Sequence, residues 1–290
     1  MTAWMLWAAT AILQSGGAAA PIPETVSADT RTLEAIGNTG ATIFAFDKAA
    51  WVSTDALMDA VPKDQLTGAG GYVIEPLGGG VLRATYFRGP AISAQAFFVA
   101  DVKGGKVTRH ELLAQPVPLT PDQMLLARAR EIAKDTAHAR NYQPCTPAPF
   151  NTVVVPMRPG GPVAVYLLTA QVTTKSYMMG GNYRVVIAPD GHVTNARPFN
   201  VSCLAQTKPK LPKGAEPVGM VVNHLLDPTP TEIHVFTSYS MGSPLFVATE
   251  DKATGRRPPG WCRAAGSAPC PRRNSAIPAS PPVPGRAPAG

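Results

Sequence analysis

The chain has 290 residues and a formal charge of +7, but its 19 acidic residues all lie at or before Asp251, and up to that point the charges cancel. The surplus is seven cations (Lys252, Arg256, Arg257, Arg263, Arg272, Arg273 and Arg286) in the last 39 residues. A charge-balanced body excludes a basic nucleic-acid surface as its organising feature, so no nucleic-acid partner is expected.

The chain opens with an uncharged apolar run, Ala3 to Leu13, followed by Gln14-Ser15-Gly16-Gly17 and Ala18-Ala19-Ala20. That is the layout of a secretory signal peptide over residues 1–20. The run is shorter than the roughly 20 apolar residues that cross a bilayer, and no longer run follows. The expectation is a periplasmic or secreted protein with no transmembrane segment in the mature chain. Cutting after Ala18 or Ala19 avoids leaving Pro21 at the new N-terminus.

Residues 33–115 read as a β-rich lobe after a lead-in at 21–31. Strands are expected at Ala41 to Phe46, Gly71 to Pro76, Val81 to Phe87, Gln95 to Val102 and Lys106 to Leu113, with Gly-rich turns between them. Lys103-Gly104-Gly105-Lys106 between two apolar runs is a hairpin signature. A short helix capped by Ser53 or Thr54 is expected to stop before Pro62. Gln115 to Leu119, with Pro116 and Pro118, reads as a stiff connector.

Residues 120–250 read as a helix plus antiparallel sheet. Thr120-Pro121-Asp122-Gln123 is the clearest local signal: Thr120 caps, Pro121 suits the first helical turn, and Gln123 completes a capping box. The helix runs to about Ala139, with Leu125, Ala129, Ile132, Ala133 and Thr136 as its expected buried face. Arg128, Arg130, Lys134, His138 and Arg140 are assigned to a solvated side. Strands follow at Thr152 to Pro156, Val163 to Val172, Asn182 to Ala188, His192 to Phe199, Val218 to Leu226, Glu232 to Tyr239 and Leu245 to Thr249. The fold class is therefore α+β, predominantly antiparallel, with one long helix (about 121–139) packed on a curved sheet.

Residues 252–290 are rich in Pro, Arg, Ala, Gly and Ser, and too poor in large apolar residues to offset ordering entropy. They read as a disordered basic tail. Either the tail is an arm in weak contact with anionic envelope material, or it is a frame-shifted gene end; the abrupt loss of pattern after Thr249 favours the second. Of the four cysteines, Cys145 and Cys203 form the expected disulfide of the body, and Cys262 and Cys270 are left to pair within the tail.

Candidate sites are few. Ser238-Tyr239-Ser240-Met241-Gly242 loosely fits a hydrolase nucleophile elbow, but a hairpin context is expected there instead of strand–turn–helix. His224, Asp227, Glu232 and His234 suggest a two-His, one-carboxylate metal site or a general-base pair, if 218–226 and 232–239 pair as strands. Their spacing is not diagnostic, so no metal is assigned. Gly68-Ala69-Gly70-Gly71 fails the dinucleotide fingerprint at Val73, and no cofactor is expected.

The stretch from about 41 to 249 resembles exported bacterial proteins without an assigned activity. Three functions are weighed. The first is a non-catalytic binding or structural module of the bacterial envelope. The second is a metal-dependent or serine hydrolase centred on 224–240. The third, by analogy with the helix-over-sheet arrangement of cystatin-like folds, is an inhibitor or sensor.

Overall fold

The computed structural model describes residues 28–173, 176–207, 210, 212, 214, 218–249 and 262–263. The expected leader at 1–20, the lead-in up to 27, the Cys262–Cys270 pairing and all of the tail except Cys262–Arg263 lie outside the described residues. The class is α+β with mostly antiparallel sheets, as the sequence indicates.

The described residues begin with a 33-residue helix, α1 (Ala28–Ala60). A four-stranded antiparallel meander follows: β1 (Ala69–Gly78), β2 (Val81–Arg88), β3 (Gln95–Lys103) and β4 (Lys106–Pro118). Then come α2 (Pro121–Ala139) and a second antiparallel sheet in the order β5, β6, β8, β9. Its strands are β5 (Asn151–Pro156), β6 (Val163–Leu168), β8 (Tyr183–Ile187) and β9 (Val193–Pro198). A small pair joins β7 (Ser176–Met178) to β10 (Ala205–Thr207). The chain then forms β11 (Met220–His224), α3 (Glu232–Met241) and β12 (Leu245–Thr249), with β13 (Cys262–Arg263) paired to β12.

Two expected strands are helices. Ala41 to Phe46 lies inside α1, and Glu232 to Tyr239 forms α3. The short apolar run Ile43-Phe44-Ala45-Phe46 has no local feature that separates strand from buried helix. Over the longer span, the buried residues Ile43, Phe46, Ala50, Ser53, Leu57 and Val61 recur every three or four positions. That is one face of a helix, and Pro62 is the first proline after it. Among the described residues α1, not α2, is therefore the longest helix. Among the described residues no helix is long and apolar enough to cross a membrane.

With 232–241 helical, β11 and β12 pair in parallel through α3, from Met220↔Leu245 to His224↔Thr249, where an antiparallel series was expected. A strand–helix–strand crossover returns the chain in the same direction, which a hairpin cannot do. Gln115 to Leu119 also differs from expectation, because β4 continues through Pro118. Its prolines are tolerated on an outer strand, where a ladder partner is missing on one side.

The core is organised around β6, whose six residues are all buried. Ala164, Tyr166 and Leu168 join one apolar cluster with α1 residues Ile43, Phe46 and Leu57 and meander residues Ile74, Tyr86 and Phe98. Val163, Val165 and Leu167 join a second cluster with α2 residues Leu126, Ala129 and Ala133 and with Val73 and Phe87. The period-two alternation of the strand thus feeds both faces of one sheet. The α2 capping box forms as read, with Thr120 Oγ1 accepting from Gln123 N and Thr120 N donating to Gln123 Oε1. Its buried face is rotated from the expected one and comprises Leu126, Ala127, Ala129, Arg130, Ala133 and Ala137. Arg130, assigned to the solvated side, is 9% exposed.

Candidate functional site

β11 ends at His224, β9 carries Arg197, and α3 starts at Glu232 after a proline-containing loop. These three elements build a polar cluster on one side of a small cavity. His224 is 3% exposed and its Nε2 lies 2.8 Å from Asp227 Oδ2. Arg197 holds the same carboxylate with both ends of its fork, Nη1 to Oδ1 at 2.9 Å and Nη2 to Oδ2 at 2.5 Å. Burial pushes the Asp227 carboxyl up, but the hydrogen bonds from Arg197 and His224 outweigh it and hold the pKa below the ordinary value. An ionised carboxylate accepts only, so the His224 proton sits on Nε2.

His234 lies on the first turn of α3, where its ring side chain closes the helix start. Its Nδ1 accepts from Thr231 N at 3.0 Å and lies 3.0 Å from Thr231 Oγ1. Burial, with the nearby His224 adding to it, drives the His234 pKa down to about 3. The ring is neutral at physiological pH, and because Nδ1 is an acceptor its proton is on Nε2. The two imidazoles meet edge to face with centroids 4.6 Å apart.

The residues proposed from sequence therefore divide. His224, Asp227 and His234 come together, whereas Glu232 turns away. Its Oε1 accepts from Arg184 Nη1 at 2.8 Å and from the Tyr166 hydroxyl at 3.3 Å. Arg184 and Arg197 both lie over the Phe199 ring, at 5.9 and 4.8 Å, which couples the two ion pairs through one buried aromatic. Among the described residues no group of three His, Cys, Asp or Glu side chains is placed to hold a metal ion. The strand pairing on which the metal reading depended is absent, because a helix occupies 232–241.

The serine motif also finds a different context. Ser238 and Ser240 sit at the C-terminal end of α3, and Gly242 caps it at φ 61°. Ser238 Oγ donates to Ser243 O and Ser240 Oγ to Phe236 O. A nucleophile elbow places its serine between a strand and the start of a helix, so this geometry does not supply one.

The cavity measures about 100 Å³ and is bounded by β11, α3 and the segment after β9. His224, His234 and Thr237 line it together with the apolar side chains Phe199, Val222 and Ile233. Val201, Leu204 and Leu225 also line it and are 66%, 48% and 54% exposed, which gives the mouth an apolar rim. Ser202 and Leu204 flank Cys203, which is bonded to Cys145 with a Cα–Cα distance of 5.6 Å. The disulfide thus ties one wall of the cavity to the loop that follows α2. Gly180 and Gly181 pack flat against this bridge; a Cβ on Gly180 would come within 2.2 Å of Ser202 O. Sequence reasoning missed Arg197, because 30 residues separate it from Asp227 and no local pattern links them. Comparison with protein-family models, curated proteins and solved structures finds no match, so the chemistry of this site stands on its own residues.

Proposed function

We propose that this chain is an exported binding module of the bacterial envelope, whose ligand site is the cavity at His224 and His234. The apolar leader with its small-residue end supports export, and so does a bonded cysteine pair, which persists in oxidising compartments. The observation that carries the binding reading is the pair of imidazoles with partner-fixed tautomers beneath an apolar rim. His234 keeps Nε2–H, and His224 keeps Nδ1, without protein partners among the described residues. A site of this kind suits an uncharged group that offers a hydrogen-bond acceptor, with an apolar remainder lying on Val201, Leu204 and Leu225. The volume is of the order that takes one benzene-sized group.

Catalysis is less well supported. A general base works best with a pKa near the operating pH, and at about 3 His234 is far below it. His224 is held by a carboxylate that Arg197 already neutralises.

The test is a titration of the oxidised protein with a panel of neutral amphipathic fragments (alkyl amides, alcohols, phenols), read by imidazole and methyl NMR shifts. Saturable shifts at His224, His234 and Val222, lost in Leu204→Glu, support the reading. Fragments that leave these signals unmoved, or turnover of ester substrates abolished by His224→Gln, would overturn it.

A further inference from the structure

β11 lies at one edge of its three-stranded sheet, whose order is β11, β12, β13. Main-chain groups of successive strand residues point to alternate sides, so one fixed group assigns the rest. Met220 N donates to Pro244 O at 2.9 Å, which turns the main-chain groups of Met220, Val222 and His224 toward β12. Those of Val221 and Asn223 therefore face the open side. Val221 O bears this out, since it accepts from the Gln206 side-chain amide at 2.9 Å. Among the described residues that is the only hydrogen bond found on this edge.

An open edge invites pairing, and folds blunt it with charge, proline or bulges. β4, an edge of the meander, carries Lys106, Arg109, Glu111, Pro116 and Pro118 and two breaks in register. β11 has no Lys, Arg, Asp, Glu or Pro, and its register with β12 is unbroken. The His224 cavity opens along this same edge. One wall is Val222 to Leu226, and the other comes from the segment after Pro198 that leads into β10 and Gln206. Val222 and His224 are buried on the face that α3 covers, where Val222 joins Val235 and Met241, and His224 meets His234. A strand laid beside β11 sets every second side chain on that face, and one of them at the cavity.

We propose that the ligand of the His224 cavity is an extended peptide, which adds to the open edge of β11 and places one apolar side chain in the cavity. This rests on the binding reading above and names its partner. The outward main-chain groups of Val221 and Asn223 match the alternating donors and acceptors of a second strand, and the Gln206 amide marks the position of one peptide N–H. A peptide carbonyl is also an uncharged hydrogen-bond acceptor of the kind the two imidazoles suit. Exposed Val221 and Leu225 flank Asn223 on the opposite face and meet the alternate side chains. The residues that join β10 to β11 include Lys208, Lys210 and Lys213 against Glu216, and Lys210 is exposed. Charge complementarity therefore gives the peptide an acidic residue at the Val221 end. At the other end Arg197 and Asp227 already neutralise each other, and no charge is called for.

The experiment titrates the oxidised full chain with the peptides acetyl-Asp-Thr-Val-X-Val-Thr-amide, X being Leu, Met, Phe or Tyr, and with the same residues in reverse order. NMR shifts and amide hydrogen exchange are the readouts. The Val221 and Asn223 amides are expected to exchange freely in the unliganded protein and to slow about tenfold or more in the complex, as the His224 ring signals shift. N-methylating one alternate set of peptide amides abolishes binding and methylating the other does not; replacing the peptide Asp by Lys weakens it at low ionic strength. Val221→Pro removes an outward donor and leaves the ladder to β12, because an edge strand accepts proline there. It should weaken the peptide about tenfold and leave the fragment shifts at His224 unchanged. Should that variant fail to fold, the two N-methyl series on the wild type decide. Equal binding of both N-methyl series overturns the proposal, as does full affinity in Val221→Pro. Val221 and Asn223 amides already protected in the free chain also overturn it, since the chain's own segment or a second copy then covers the edge. If fragments bind and no peptide does, this inference falls alone; if neither binds, the cavity reading falls with it.

Discussion

His224 and Asp227, three residues apart, are joined by a 2.8 Å contact from Nε2 to Oδ2, and that contact sets which ring nitrogen carries the proton. The carboxylate is in turn gripped by Arg197, so the tautomer of a buried imidazole depends on a strand that lies well upstream. Truncating Asp227 to Ala leaves Arg197 unpaired and His224 unanchored. The expected loss is about 2–3 kcal/mol, since charge-assisted hydrogen bonds to partly buried groups are removed. Asp227→Asn retains an acceptor and should lose less. Urea unfolding measures both, and a cycle with Arg197→Met should return a coupling of about 1–2 kcal/mol.

Asp47 gives a pH dependence of known sign. Burial raises its carboxyl from 3.8 to about 6, with the Asn151 hydrogen bond and Lys48 opposing. The folded state therefore binds the proton more tightly than the unfolded one. Between pH 3.8 and 6 this group makes stability fall as pH rises, and above 6 its full cost remains. Asp47→Asn should stabilise the protein at pH 7.5 by on the order of 2 kcal/mol and change little at pH 3.5. Paired melting curves at the two pH values check the difference.

The bridge between Cys145 and Cys203 spans 58 residues of sequence. In the chain-entropy account, a loop of that length stabilises the fold by roughly 4 kcal/mol through the unfolded state. The double replacement Cys145→Ser, Cys203→Ser should lower the urea midpoint accordingly. It should also broaden NMR signals of residues 199–204 selectively, because the bridge tethers that wall of the cavity.

Two glycines of α1 carry opposite expectations. At Gly37 an added Cβ meets nothing within 4 Å, so Gly37→Ala should stabilise by about 0.5–1 kcal/mol through helix propensity. At Gly40 the same Cβ would lie 2.4 Å from Val235 Cβ and 2.6 Å from Glu232 O. α1 and α3 approach there closely enough that Gly40→Ala should destabilise by about 2 kcal/mol despite the better propensity. Thermal denaturation of the two single variants separates propensity from packing.

Local chemistry made several elements legible. The capping box at Thr120 and Gln123, the hairpin at Lys103–Lys106 and the strands of both antiparallel sheets were each encoded within about ten consecutive residues. α1 and α3 were not. In both, a short β-like run (Ile43 to Phe46, Ile233 to Phe236) sits inside a helix whose stability comes from packing one face on a distant partner. Arg130 was misassigned for the same reason: its neighbours in α2 read as solvated, and its interior position comes from the distant residues beside it, Tyr72 on β1 and the Thr152–Val154 stretch of β5.

By itself, the amino-acid order determined the class of fold, the bounds of α2, the cysteine pair of the body and the two histidines worth watching. These rest on capping, alternation, turn residues and composition, which act between near neighbours. The tertiary structure alone decided that α3 makes β11 and β12 parallel, that Glu232 leaves the histidines for Arg184, and that Arg197 joins Asp227. Those outcomes turn on which charged groups meet once water is excluded, and contacts between residues 30 or 48 positions apart leave no periodicity in the chain to read.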